Sequence, residues 1–215
     1  MRNQKIEFFK KDIVNLDITH RCTLECPKCQ RSYLKSKGKT VSGYDMPLKH
    51  YMFILNYFKE IDFCGQSSDP IFHPNFIQFL KLAYEKNVKV NIHTAASQKS
   101  KEWYKEAFES NKNAKWIFGI DGLPNVSHIH RINQDGQKLF EMMMLAKDIV
   151  KTVQWQFIVF EYNEHQIENA KEIAKENNIE FKLMISSRFA KDDPLKPTRK
   201  DLFIPRDWKQ WPKKK

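Results

Sequence analysis

IVNLDITHRCTLECPKCQR, residues 13–31, runs from branched apolar residues into a loop that holds three of the chain's four cysteines. Residues 13–18 read as a strand. A strand that ends in a polar, thiol-rich loop suits an α/β fold, where functional residues gather at the carboxyl ends of parallel strands. The remaining sequence repeats that arrangement.

Tyr51, Ile54, Leu55 and Phe58 fall on one helical face within residues 47–60. IDFC, residues 61–64, reads as the second strand. Pro74 suits the first turn of a helix, and Phe76, Phe79, Leu80 and Ala83 continue it. Strands follow at 88–93, 115–120, 153–160 and 180–186. Helices are expected at 100–110, along the stripe Leu139, Met142, Met143, Ala146 and Val150, and at 164–177. About six strands alternating with helices predict a parallel sheet, because parallel neighbours need crossover connections. The expectation is a single α/β domain over residues 1–190. An irregular basic tail, residues 191–215, packs on that core or extends from it.

The chain has 215 residues, 41% of them hydrophobic, which suits one globular core. No apolar run approaches membrane-spanning length, so no membrane partner is expected. Residues 1–12 are charged and lack the apolar stretch of a signal peptide. Four cysteines without such a signal read as reduced thiols in the cytoplasm. The net charge is +11. No nucleic-acid-binding motif accompanies it, so the charge fits solvated helix faces or an acidic or phosphorylated substrate, not nucleic acid.

Cys22, Cys26 and Cys29 form C-x-x-x-C-x-x-C. Thiolates select zinc, copper(I) or iron–sulfur clusters. Three of them cap three corners of a [4Fe–4S] cube and leave one iron open for chemistry. Cys64 reads as a small buried residue at a strand end, with a fourth-ligand role that would close the cube as the alternative. A structural zinc site, Cys₃His with His20 or His73, is the competing reading.

The loops after the first four strands resemble, in order, those of radical SAM enzymes. The cysteine loop has that family's spacing. DFCGQSSDPIFHP, residues 62–74, sits where the family carries Gly-Gly-Glu-Pro, with Ser67, Ser68, Asp69 and Pro70 in its place. HTAAS, residues 93–97, is similar to the third-strand segment often written T-N-G. FGIDGLPNVSHIHR, residues 118–131, resembles the fourth-strand segment of the peptide-modifying (SPASM-like) branch, S-x-D-G followed by H and R. The auxiliary-cluster cysteines of that branch are missing, since none follows Cys64.

The resemblance implies a partial (β/α)6 barrel, one [4Fe–4S] cluster and S-adenosylmethionine (SAM). It makes Cys22, Cys26 and Cys29 the cluster ligands. Ser67, Ser68 and Asp69 match the motif that receives the SAM amino group, and Arg131 matches a position that pairs with its carboxylate. Thr94 and Gly119 match strand ends near the ribose and methionine parts. Val159 matches a region whose backbone meets adenine. Lys28 departs from the pattern, which usually has an aromatic residue there. Asp121 is expected to shape the loop that presents Arg131.

The implied reaction is reductive cleavage of SAM to a 5′-deoxyadenosyl radical, which abstracts hydrogen from a peptide or protein. An electron donor such as flavodoxin or ferredoxin is the implied partner. A small-molecule substrate, as in a deazapurine synthase, a glycyl-radical activating enzyme, and a non-catalytic cluster- or zinc-binding module are the alternatives. His73, His128 and His130 are acid–base candidates or loop histidines that orient backbone.

Overall fold

Along Thr152–Val159 (β5) every second residue is buried. Val153, Trp155, Phe157 and Val159 join the hydrophobic core, so by strand alternation Gln154, Gln156 and Ile158 point the other way. This half-polar pattern would be wrong for a parallel sheet covered on both faces. It suits a curved sheet with helices outside and a lumen inside.

The computed structural model describes residues 12–202. Its strands are Ile13–Leu16 (β1), Glu60–Phe63 (β2), Lys89–Thr94 (β3), Lys115–Gly119 (β4), β5 and Glu180–Ile185 (β6). They form one sheet in the order β1-β2-β3-β4-β5-β6, every pair parallel. The helices are Gln30–Ser36 (α1), Leu48–Tyr57 (α2), Phe76–Glu85 (α3), Lys101–Ser110 (α4), Gly136–Ala146 (α5) and Ile167–Glu176 (α6). This is the expected α/β partial barrel. β1 and β6 do not pair, so the barrel stays open.

The core lies between sheet and helices. Tyr51 of α2 stacks on Phe79 of α3 with centroids 4.0 Å apart. Trp155 buries its indole and donates Nε1–H to the Ile120 carbonyl at 2.9 Å, which spares it an unpaired donor. α3 and α6 end alike. Asn87 and Asn178 take positive φ, and the next residues, Val88 and Ile179, donate back to Ala83 and Ala174. These Schellman ends deliver the chain straight into β3 and β6.

Lower in the lumen the polar side chains satisfy one another. Asn91 donates to Glu60 and Asp62, and Gln154 and Lys115 both reach Glu180. Above that floor the lumen is hollow.

Most bounds shift by one to a few residues, and α5 ends at Ala146, before Val150 of the expected stripe; other differences have a visible cause. The first strand stops at Leu16, because the Ile18 carbonyl turns away to accept from Met46 N–H at 2.8 Å. α1 was not foreseen; it starts directly after Cys29, which is its N-cap residue. A 3₁₀ turn, Glu161–Gln166, replaces the start of the helix expected at 164. The tail packs on the core as far as it is described. The Leu195 carbonyl accepts from Glu161 N–H, and the Glu164 carboxylate accepts from the backbone of Thr198 and Arg199. Trp208 and Trp211 lie outside the described residues. Among the described residues no helix is long and apolar enough to cross a membrane.

Candidate active site

The four polar loops meet at the carboxyl end of the sheet, and the cysteine loop is braced by the other three. Asp69 N–H donates to the Arg21 carbonyl at 2.9 Å, from the loop after β2. Thr23 Oγ1 donates to Gln98, after β3. Glu25 N–H donates to the Ile132 carbonyl and Asn133 donates to the Thr23 carbonyl, both after β4. These bonds tie the loop to all three of its neighbours.

A cavity of about 450 Å³ opens under these loops, lined by Cys22, Cys26, Cys29, Ser67, Ser68, Asp69, Thr94, Gly119 and Arg131. Val159 is different. It is fully buried in the core, while its neighbours Ile158 and Phe160 line the cavity. Strand alternation explains the one-residue offset. Lining residues that the sequence did not single out include Gln66, Gln156 and Phe160, whose only mark is a place at or near a strand's carboxyl end.

All four described cysteines are free thiols. Burial, then the Asp69 carboxylate, pushes the Cys22 thiol up to about 12. Burial raises Cys26 too, against the pull of the Arg131 guanidinium. Leu24 N–H donates to Cys22 Sγ at 3.4 Å. Cys64 also lines the cavity rather than sitting in the core. Among the described residues no three His, Cys, Asp or Glu side chains converge as ligands of one metal ion. His73 is committed elsewhere. Its Nε2 lies 3.1 Å from the Met46 carbonyl, and Nδ1 accepts from Asn75 N–H.

The turn before Asp69 needs Gly65, whose φ is +55° and whose Cβ would sit 2.4 Å from the Ser68 carbonyl oxygen. Asp69 itself is 4% exposed and fully engaged. Oδ2 accepts from Ala95 N–H at 2.8 Å, Ala96 N–H at 3.0 Å and the Thr94 hydroxyl; Oδ1 accepts from that hydroxyl and from Ile71 N–H. Burial raises its pKa, and these donors oppose the rise. Asp69 therefore clasps the loop after β2 to the loop after β3. Asp69→Asn would set an amide N–H against backbone N–H groups whichever way it turned. The expected cost is about 1–3 kcal/mol, read as a lower urea midpoint; an unchanged midpoint would remove the clasp.

Asp121, fully buried just after β4, is a second hub. Oδ2 lies 2.8 Å from Arg131 Nε, without hydrogen-bond alignment, and 3.2 Å from His130 Nδ1. Oδ1 accepts from Ile158 N–H at 3.0 Å and from an Arg131 NH₂ group at 3.3 Å. Burial would raise this carboxyl, but the Arg131 guanidinium and the His130 bond outweigh it and hold the pKa below the usual range. Gln134 ties the ends of β3 and β4 together by donating to the Ala95 and Gly119 carbonyls. His128 is exposed and His130 buried, two residues apart across a 3₁₀ turn.

No family model matches the chain, and no curated protein matches it in sequence. Solved structures do share its fold. Streptococcus suis SuiB bound to S-adenosylmethionine is 12% identical with a TM-score of 0.68, over 87% of this chain and 44% of SuiB. SuiB bound to its precursor peptide SuiA gives 15% and 0.69, over 87% and 42%. TYW1 with a lysine–pyruvate adduct gives 12% and 0.58, over 85% and 68%. These neighbours are radical SAM enzymes. The chain spans less than half the length of SuiB.

Proposed function

We propose that the chain is a radical SAM enzyme acting on a peptide or protein. The observation that carries this reading is the meeting of three thiols and the part-buried Arg131 in one cavity at the carboxyl end of a partial barrel. The donor set suits a [4Fe–4S] cluster: three soft thiolates from one braced loop, and no fourth from it. A single zinc would gather its sulfurs within about 2.3 Å of one point. Of the two histidines that could complete such a site, His73 has both nitrogens engaged.

When bound, the cluster supplies the electron that splits SAM into methionine and a 5′-deoxyadenosyl radical, which takes hydrogen from the substrate. The chain's own residues bind and orient. Cys22, Cys26 and Cys29 hold the cluster. Arg131, fixed by Asp121, receives a carboxylate through a charge-assisted contact. Ser67, Ser68, Thr94 and Gly119 form the wall against the rest of the cofactor, and the backbone near Val159 meets its adenine. Asp69 serves SAM by fixing the loop ends beneath it. SuiB's complex with a precursor peptide supports the peptide substrate. A small cytoplasmic electron carrier such as flavodoxin or ferredoxin would reduce the cluster.

The test is anaerobic. The protein is reconstituted with iron and sulfide, reduced with dithionite and given SAM, and 5′-deoxyadenosine is quantified. Product is expected from the wild type. Bound zinc in place of iron would end the reading.

Gly119 offers a narrower check. A Cβ there would stand 2.9 Å from an Arg131 NH₂ group and 3.3 Å from Ala95 Cβ. Gly119→Ala is expected to push the guanidinium aside and weaken SAM binding about tenfold, the worth of one charge-assisted hydrogen bond. Calorimetric titration reads it, with iron content as the control for folding.

A further inference from the structure

The cavity has a second wall that the reading above leaves without work. Beyond the cysteine loop and the residues set around SAM, it is lined by His93 of β3, Ile117 of β4, Gln156 of β5, and Met184, Ser186 and Arg188 at or past the end of β6. The half-buried side chains of His93 and Gln156 make no hydrogen bond among the described residues, yet neither is sealed from solvent. Arg188 gives this wall its charge. Its backbone N–H donates to Ser186 Oγ at 3.1 Å, and its guanidinium donates from Nη1 to the Lys28 carbonyl at 2.8 Å. The first bond shapes the turn after β6. The second holds the long side chain against the cysteine loop. The Nε–Nη2 edge of the guanidinium stays free, a fork of donors that matches the two oxygens of a carboxylate. The other lysine and arginine on the lining have their countercharges: Lys28 pairs with Asp193, and Arg131 with Asp121. Arg188 has none among the described residues. Asp69, the one carboxylate on the lining, is already committed to Thr94 and to backbone N–H groups.

We propose that this wall is the substrate subsite and that Arg188 is its anchor for a carboxylate on the substrate. On the functional reading above, on which this inference rests, the carboxylate belongs to a peptide, as an Asp or Glu side chain or as the C-terminus. Arg131 receives the cofactor's carboxylate from the loop after β4, and Arg188 receives the substrate's from the loop after β6. Two anions are thus taken by separate elements. Ile117 and Met184 offer apolar contact beside the anchor. His93 and Gln156 offer hydrogen bonds to the polar groups of the same peptide, which fixes its orientation.

Affinity selection tests this. The reconstituted full chain is kept anaerobic with SAM and without reductant, so that nothing turns over. It is exposed to two libraries of randomised, N-acetylated heptapeptides, one with amidated and one with free C-termini, and bound peptides are sequenced by mass spectrometry. Enrichment of Asp and Glu by about fivefold is expected in the amidated library, the worth of one exposed charge pair. Selection confined to the free library upholds the anchor and assigns the carboxylate to the C-terminus. Arg188→Gln is expected to lose the preference and Arg188→Lys to keep part of it. Lys175→Gln removes the same charge from an exposed position on α6 and is expected to keep all of it. Iron content and melting temperature are measured on each sample. A wild type that holds SAM but binds no peptide, or binds without regard to carboxylates, overturns the inference alone. So does a preference that Arg188→Gln retains, or one that Lys175→Gln loses equally, since overall charge would then be its cause. Loss of iron by Arg188→Gln overturns it too, because Arg188 would then serve the cluster. A wild type that carries iron but takes up no SAM overturns the functional reading and this inference with it.

Discussion

Cys26→Ala is expected to abolish uptake of iron and sulfide, where the wild type takes about four of each per chain in a cubane cluster. The middle cysteine is the hardest to replace. It sits between Glu25, tied to the Ile132 carbonyl, and Cys29, whose N–H donates to the Cys26 carbonyl at 3.0 Å. The loop therefore cannot slide to bring another group into its place. The two remaining thiolates would leave two corners of the cube open to water and oxidant. Cys64 lines the same cavity and is the one further described thiol. It stands just past β2, on a separate stretch of chain, so Cys64→Ala is expected to keep its iron. Iron and sulfide analysis with the visible absorption spectrum reads both variants. Iron retained by Cys26→Ala and lost by Cys64→Ala would replace the ligand set proposed here.

The strands were legible in the sequence because each is a short run rich in apolar and branched residues, and each of the first four is followed by a loop with its own chemical signature. The cysteine loop, GQSSDP, TAAS and DGLPNVSHIHR could be assigned to one end of the sheet before any contact was known. Side-chain roles were less legible. Asp69 reads as an acceptor aimed at a ligand, yet its carboxylate is used by the backbone of Ile71, Ala95 and Ala96. That requires knowing how closely two loops approach, which no single loop encodes. Asp121 reads as a turn residue that presents Arg131, and the pair does form. Its second partner was hidden, because two histidines, His128 and His130, follow it and only the 3₁₀ turn at Ser127–Ile129 decides that His130 goes inward and His128 outward. The hollow lumen had a weak trace in Gln154 and Gln156, polar residues inside a strand that a fully covered sheet would have made apolar.

Asp121→Asn is expected to be the most destabilising of the site variants that keep all the cysteines. Arg131 is 14% exposed and Asp121 not at all, so the guanidinium would be left in the interior without a countercharge. Breaking a buried ion pair from one side costs about 3–5 kcal/mol. The backbone N–H of Ile158 and the ring N–H of His130 would lose part of their acceptor as well. The pH dependence gives an independent signature. The folded pKa of Asp121 is depressed, so its contribution is present above the ordinary aspartate value, about 3.9. It is lost as pH falls through the folded value. Asp121→Asn removes that part of the acid limb, and its stability should fall less steeply than the wild type's below about pH 4. Denaturant unfolding at neutral and acid pH reads both effects. A double variant separates architecture from binding. Asp121→Leu with Arg131→Met removes both charges and fills the space with apolar atoms, a change that is often neutral for stability. It should restore much of the loss while leaving SAM binding weak, since no cation then faces the carboxylate. If the double variant regained SAM affinity along with stability, Arg131 would be a structural residue and the cavity would need another anchor for its ligand.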